Sequence, residues 1–247
     1  MEVKLNEDER IDDLQLKGLK IIQNLKWFCF GIDSVLLSDF VNNIKNNSFV
    51  LDLGTGTGIL PILLCGKTNL KRVIGIEIQE DVAEIAKRNI ELNNLKDRFN
   101  VINDNINNID KYFGKNEFDV IITNPPYKKN NDGVKNENKQ KLISRHEILA
   151  TLEDFIKVAS YCLKDKGSFY MVHKVERLVD IICHMREYKI EPKRLRFVFT
   201  NEKSKPTLVL IEGVKNAKPF LKIDSNIYIY NEDGEYTTQI KEIYSEK

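Results

Sequence analysis

An apolar strand that runs through a glycine-rich turn into an apolar helix does most to limit what this chain can become. It spans Phe49-Val50-Leu51-Asp52-Leu53-Gly54-Thr55-Gly56-Thr57-Gly58-Ile59. Glycines at such a turn allow positive φ and let a ligand lie against the backbone. The free N–H groups of the following helix then face that ligand. The spacing is G-x-G-x-G rather than the G-x-G-x-x-G of a dinucleotide site, and an acid, Asp52, precedes the first glycine. A carboxylate at that point is awkward for a pyrophosphate and suits an ammonium group.

Two further acids follow at the ends of apolar runs. Arg72-Val73-Ile74-Gly75-Ile76-Glu77 reads as a second strand, ending in a carboxylate 23 residues after Gly54. An acid at that offset takes ribose hydroxyls and disfavours a 2′-phosphate. A third run, Phe99-Asn100-Val101-Ile102-Asn103, delivers Asp104, an acceptor for an exocyclic adenine amine. Sites for an amino acid, a ribose and an adenine in series describe S-adenosylmethionine.

Strand-like and helix-like segments alternate from Phe49 to about Lys215, the pattern of a parallel α/β sheet. Residues 81–90 have helical spacing and stop at Asn93-Asn94, and Thr151-Leu152-Glu153-Asp154 reads as a capping box opening another helix. Gly167 restarts a strand over 168–172, and Val175 to Tyr188 makes a further amphipathic helix. The runs 194–200 and 206–212 are joined by five polar residues, too few for a crossover, so that pair is antiparallel. The expected fold is therefore α/β, Rossmann-like, with seven strands, mostly parallel, the last reversed, and helices on both faces. Residues 1–48 form an N-terminal strand/helix extension, 49–215 the core and 216–247 a C-terminal hairpin extension. In the N-terminal part Trp27 to Gly31 is expected as a strand and Asp33 as the cap of a helix to Asn42. The C-terminal hairpin pairs 227–230 with 236–240.

The run Phe118 to Thr123 reads as a buried strand that ends at Asn124-Pro125-Pro126-Tyr127. The tetrapeptide thus sits at a carboxyl strand end, where open α/β sheets bind ligands. The Asn124 side-chain oxygen and the Pro125 carbonyl can both accept from one NH₂ group, either a planar amide or an aromatic amine. Tyr127 offers a flat face for stacking. The polar loop that follows, Lys128 to Gln140, is long enough to serve as a lid or substrate contact.

Composition excludes several classes. The chain has 247 residues and a net charge of +1, so nucleic-acid binding would rest on local patches. Lys128 to Arg145 and His184 to Lys205 each carry a net of +4. The start is charged and unlike a signal peptide, and the longest apolar run, Ile59 to Cys65, falls far short of a membrane span. Cys29, Cys65, Cys162 and Cys183 form no C-x-x-C pair, and the three histidines are dispersed, so a cytoplasmic protein with reduced thiols and no metal is expected. For oligomeric state a monomer is the simpler expectation.

These motifs together resemble the class I S-adenosylmethionine-dependent methyltransferases. N-P-P-Y resembles the motif of adenine N6- and protein glutamine N5-methyltransferases. Glu9 to Gln15, Gly18 to Asn24, Phe28 to Leu37, Ser144 to Glu147 and Glu212 to Asn216 are similar to the bacterial tRNA1(Val) adenine-37 N6-methyltransferase family. The resemblance covers most of the chain. It implies that Asp52, Gly54, Gly56 and Gly58 cradle the methionine moiety of S-adenosylmethionine, Glu77 its ribose and Asp104 its adenine. It also implies a tRNA partner, with Asn124 and Pro125 holding the target amine and Tyr127 stacking on the base. Asp33 is a candidate cofactor neighbour, and Arg145 and His146 are candidates for touching RNA. Competing readings are a glutamine methyltransferase, an rRNA guanine N2-methyltransferase and a non-catalytic RNA-binding module.

Overall fold

A computed structural model describes residues 4–26, 30–41, 44–127 and 150–244. The chain opens with a hairpin, β1 (Glu9–Asp13) and β2 (Lys20–Asn24), followed by α1 (Ile32–Phe40). Then come β3 (Phe49–Leu53), α2 (Ile59–Lys67), β4 (Arg72–Glu77), α3 (Glu80–Leu92) and β5 (Phe99–Asn103). A 3₁₀ turn at Ile106–Lys111 leads to β6 (Phe118–Thr123). After α4 (Leu152–Cys162) follow β7 (Leu163–Lys174), α5 (Leu178–Glu187), β8 (Ile190–Phe199) and β9 (Pro206–Lys215). Two two-residue strands, β10 (Lys222–Ile223) and β11 (Ile227–Tyr228), and α6 (Thr238–Tyr244) complete it.

The large sheet runs β10-β8-β9-β7-β6-β3-β4-β5, with β11 also on β8. Seven strands, β3 to β9, form its body, and β9 alone runs against both its neighbours. The short edge strands β10 and β11 raise the expected seven to nine. From β3 the chain steps outward to β4 and β5, then returns to the other side of β3 as β6. That reversal opens a crevice at the carboxyl ends of β3, β4 and β6.

Period-two alternation divides the apolar residues between the two faces of the sheet. Val50, Val73, Ile122 and Leu210 pack with α1 and α2 through Leu36, Phe40, Ile62 and Leu64. Leu51, Ile74, Ile121 and Ile211 pack with α4 and α5 through Phe155, Ile156, Ile181 and Met185. The expected capping box is present: Thr151 Oγ1 accepts from Asp154 N (3.2 Å), and Asp154 Oδ2 accepts from Thr151 N (2.7 Å).

The flanks differ from expectation in three ways. The N-terminal strands are 9–13 and 20–24, while 27–29 lie outside the described residues. Asparagines on α3 hold β2 in place of a further strand: Asn89 accepts from Ile22 N (2.6 Å), and Asn93 accepts from Lys20 N (2.8 Å). Gly31, not Asp33, stands at the N-cap of α1, with no side-chain cap.

At the C-terminus the expected hairpin shrinks to one bridge, Tyr230 to Tyr236, and 238–244 turns helical. Thr237 Oγ1 accepts from Ile240 N (3.3 Å), a helix-start contact, and Ile240 is fully buried with Tyr244 packed beside the same core. Apolar residues at 240, 243 and 244 fit a helix better than a strand.

Two arginines of the basic segment 184–205 also prove structural. Arg194 binds Glu212 (2.7 Å) and Asp224 (3.4 Å), and Arg196 lies 3.6 Å from Asp224. The first basic segment, the loop 128–140 and Ser144 to Glu147 lie outside the described residues. Among the described residues, no helix is long and apolar enough to cross a membrane, and no cluster of His, Cys, Asp and Glu could hold a metal.

Candidate active site

The turn after β3 is held from β4. Gly54 N and Thr55 N both donate to Ile76 O (3.0 Å each), and Gly58 N donates back to Thr55 O (3.0 Å). Gly58 is the N-cap of α2 at φ +88°, and a Cβ there would stand 2.8 Å from the Phe99 ring. Only glycine fits that position. The turn is therefore close-packed from below.

Asp52 is fully buried on β3. Its Oδ2 accepts from Thr55 Oγ1 (2.7 Å), and its Oδ1 has no hydrogen-bond partner among the described residues. Burial pushes its carboxyl up to about 7; the Thr55 hydroxyl opposes that shift, and the Glu77 carboxylate adds to it. A buried carboxylate oxygen without a donor is a costly arrangement that a cationic group would relieve. This is the arrangement an amino-acid ammonium answers.

Glu77, also buried, ties the next strand to the turn. Its Oε2 accepts from Gly56 N and its Oε1 from Gln79 N, both at 2.9 Å. Each oxygen keeps a further lone pair for a hydroxyl. Asp104 N donates to Glu77 O (3.1 Å), which places the third acid beside the second. The Asp104 carboxylate accepts from Asn108 Nδ2 (2.6 Å), Tyr112 Oη (2.8 Å) and Asn105 N (2.7 Å). Those donors, Asn108 foremost, hold it below the ordinary carboxylate range. Asp52, Glu77 and Asp104 thus stand on β3, on β4 and just past β5, three neighbouring strands, in the order the sequence suggested.

On the other side of β3, Thr123 Oγ1 donates to Leu53 O (2.8 Å), fixing the end of β6 against the end of β3. Asn124 follows at once. Its Nδ2 donates to Ser34 Oγ on α1 (3.1 Å). The Tyr127 hydroxyl lies 2.6 Å from both Asn124 Oδ1 and Asp33 Oδ2. Pro125 is buried, and the half-buried Tyr127 ring lies 5.2 Å from the His173 ring, with Lys174 Nζ 5.7 Å over its face. Burial pulls His173 down to about 4, so that imidazole is neutral at physiological pH.

Four contributors escaped the sequence reading: Ser34, Asp33 in this role, Thr55 and Asn89. Asn89 Nδ2 donates to Thr57 O (2.9 Å), linking the N-terminal hairpin to the glycine turn. Asp33 and Ser34 begin a helix, where Asp and Ser ordinarily serve as caps, so their sequence signal pointed to capping.

The family model described as the methyltransferase small domain matches residues 32–182. The tRNA1(Val) (adenine(37)-N6)-methyltransferase of Porphyromonas gingivalis is 30% identical over 187 residues, covering 74% of this chain and 72% of that protein. The chain belongs to this methyltransferase family. The methyltransferase of the same description from Flavobacterium johnsoniae is 24% identical over 237 residues, covering 93% of this chain and 98% of the relative. Solved structures share the fold. A predicted O-methyltransferase from Agrobacterium tumefaciens aligns with a TM-score of 0.70 at 17% identity, covering 86% of this chain and 95% of that one. The M. jannaschii tRNA m1G37 methyltransferase aligns with a TM-score of 0.62 at 16% identity, covering 87% and 59%. The methyltransferase thus has the class I Rossmann-like architecture, with its N-P-P-Y at the crevice of that fold.

Proposed function

We propose that this methyltransferase uses S-adenosylmethionine to methylate N6 of adenine 37 in the anticodon loop of tRNA1(Val). One observation carries the choice of an amine acceptor. Ser34 holds the Asn124 amide nitrogen, so Oδ1 is the accepting end of the carboxamide; it lies beside the Tyr127 hydroxyl and keeps a second lone pair, one peptide from the Pro125 carbonyl. Two acceptors side by side match the two N–H bonds of an amine. The family of the chain supports adenine as its bearer and tRNA as its carrier, and such an enzyme works in the cytoplasm.

The residues fit the cofactor. Asp52 Oδ1 would take its ammonium group, Gly54, Gly56 and Gly58 its methionine backbone, Glu77 the ribose hydroxyls and Asp104 the adenine amine. When bound, S-adenosylmethionine supplies a methyl group already activated on positive sulfur. The protein's task is then to position and polarise the acceptor.

An adenine N6 lone pair is delocalised into the ring and is a poor nucleophile. Accepting both N–H bonds, at Asn124 Oδ1 and the Pro125 carbonyl, favours a more tetrahedral nitrogen with its lone pair free of the ring. No strong base is needed beforehand, because the nitrogen becomes acidic once it carries the methyl and then loses one proton to water. The target base must leave its stack, which costs less in a loop than in a duplex, and Tyr127 gives it a face to rest on.

The test is transfer of labelled methyl to total RNA lacking this modification, with a protein extract as a second acceptor. N6-methyladenosine is the expected product. Label on protein glutamine with none on RNA would replace this reading with amide methylation at the same residues.

A further inference from the structure

Asn124 and Tyr127 meet α1 through a network that the reaction as described does not require. The Tyr127 hydroxyl lies at the same 2.6 Å from Asp33 Oδ2 and from Asn124 Oδ1. Both neighbours are acceptors, and a phenol carries a single proton. Burial, with the Asp33 carboxylate close by, holds Tyr127 well above the ordinary tyrosine range, so that proton stays in place. It can satisfy one of the two oxygens. The charged acceptor is the stronger, because hydrogen bonds to ionised groups are about twice as strong as neutral ones.

Asp33 is also free of the usual duty of its position. The N-cap of α1 is Gly31, and no side chain caps that helix end. The Asp33 carboxylate instead reaches a residue 94 positions away in the chain. Its neighbour Ser34, buried at 3% exposure, holds Asn124 Nδ2. Two consecutive residues of α1 thus act on one carboxamide, Ser34 on its nitrogen and Asp33, through Tyr127, on its oxygen.

We propose that Asp33 is a positioning residue that draws the Tyr127 proton away from Asn124, leaving Asn124 Oδ1 open to the N–H of the incoming base amine. Without Asp33 the phenol turns its proton onto Asn124 Oδ1, taking one of its two lone pairs and weakening what that oxygen can accept from the base amine. Without the phenol, Asp33 has nothing to draw away. This inference rests on the amine-acceptor role of Asn124 given above.

The experiment is a double-mutant cycle on the full chain: wild type, Asp33→Ala, Tyr127→Phe and the double variant. Single-turnover methyl transfer to an anticodon-arm RNA is measured for each, with cofactor affinity and melting temperature as checks on folding. Asp33→Ala should slow transfer about tenfold, the worth of one hydrogen bond, with cofactor affinity unchanged. In the Tyr127→Phe background the same substitution should cost about twofold at most. A second readout needs no turnover: the Asn124 side-chain amide resonances of ¹⁵N-labelled protein should shift in Asp33→Ala and stay put when that change is added to Tyr127→Phe. Equal losses in both backgrounds, or an unshifted amide in Asp33→Ala, overturn the proposal. Failure of wild type to methylate the RNA would instead overturn the adenine reading, and the amide resonances would still decide the role of Asp33.

Discussion

Gly56 N donates to Glu77 Oε2 over 2.9 Å, so the middle of the glycine turn hangs on the last residue of the neighbouring strand. The same carboxylate takes Gln79 N at 2.9 Å, at the start of α3. Glu77 therefore shapes the glycine turn through the protein's own backbone. Replacing it with Ala removes the carboxylate that accepts from Gly56 N and Gln79 N, and with it the acceptor proposed for the ribose hydroxyls. Cofactor affinity should fall on the order of 10–100-fold, the worth of one or two lost contacts, by isothermal titration calorimetry. Unchanged affinity would remove Glu77 from the site.

Asp52 predicts a pH dependence. Its buried carboxyl is pushed up to about 7, and a cationic ligand favours the ionised form. Below pH 7 the site must shed a proton to bind, so affinity should drop by up to about tenfold per pH unit as pH falls, and level off above 7. Asp52→Asn should flatten that profile. For the unliganded protein the sign reverses: a carboxyl raised from 3.8 to about 7 stabilises the fold fully at low pH and loses that contribution as pH rises through 7. Melting temperatures across that window, with and without cofactor, check both halves.

Gly58→Ala should destabilise the protein by about 1–3 kcal/mol, since φ is +88° and the new methyl would meet Phe99 at 2.8 Å. Gly56→Ala has φ +58° but nothing within 4 Å, so strain alone acts and the cost should be about 1 kcal/mol. Chemical denaturation of the pair separates backbone strain from crowding. Equal costs would mean that Phe99 yields freely.

Tyr127→Ala should lose roughly 1–3 kcal/mol of base stacking, read as weaker binding of the RNA. Tyr127→Phe keeps the ring and should be mild in the same measurement. A severe loss in the Phe variant would assign the contribution to the hydroxyl.

The fold and the line of acids were legible because they depend on local pattern. A strand ending in glycines, acids closing the next runs and a short link between the last two core strands all reflect backbone geometry that few residues dictate. The C-terminal helix was not legible: Tyr236 to Ile240 alternates like a strand, and burial of Ile240 against the distant core overrides that pattern. Asp33 and Ser34 were hidden for a similar reason. Helix-start residues of their type usually cap, and their partners Tyr127 and Asn124 are 94 and 90 positions away. Long-range hydrogen bonds of that kind have no sequence signature in a single chain.

In the proposed reaction Asn124 prepares the amine of adenine 37 for methylation. The most direct measurement compares wild type with Asn124→Ala on two tRNA1(Val) transcripts, one with adenine and one with guanine at position 37. Wild type should label only the adenine transcript, and Asn124→Ala should be slower on it by about 10²–10³-fold, with cofactor affinity retained. Label on the guanine transcript, or near-wild-type turnover without the Asn124 carboxamide, would rule out that role for Asn124.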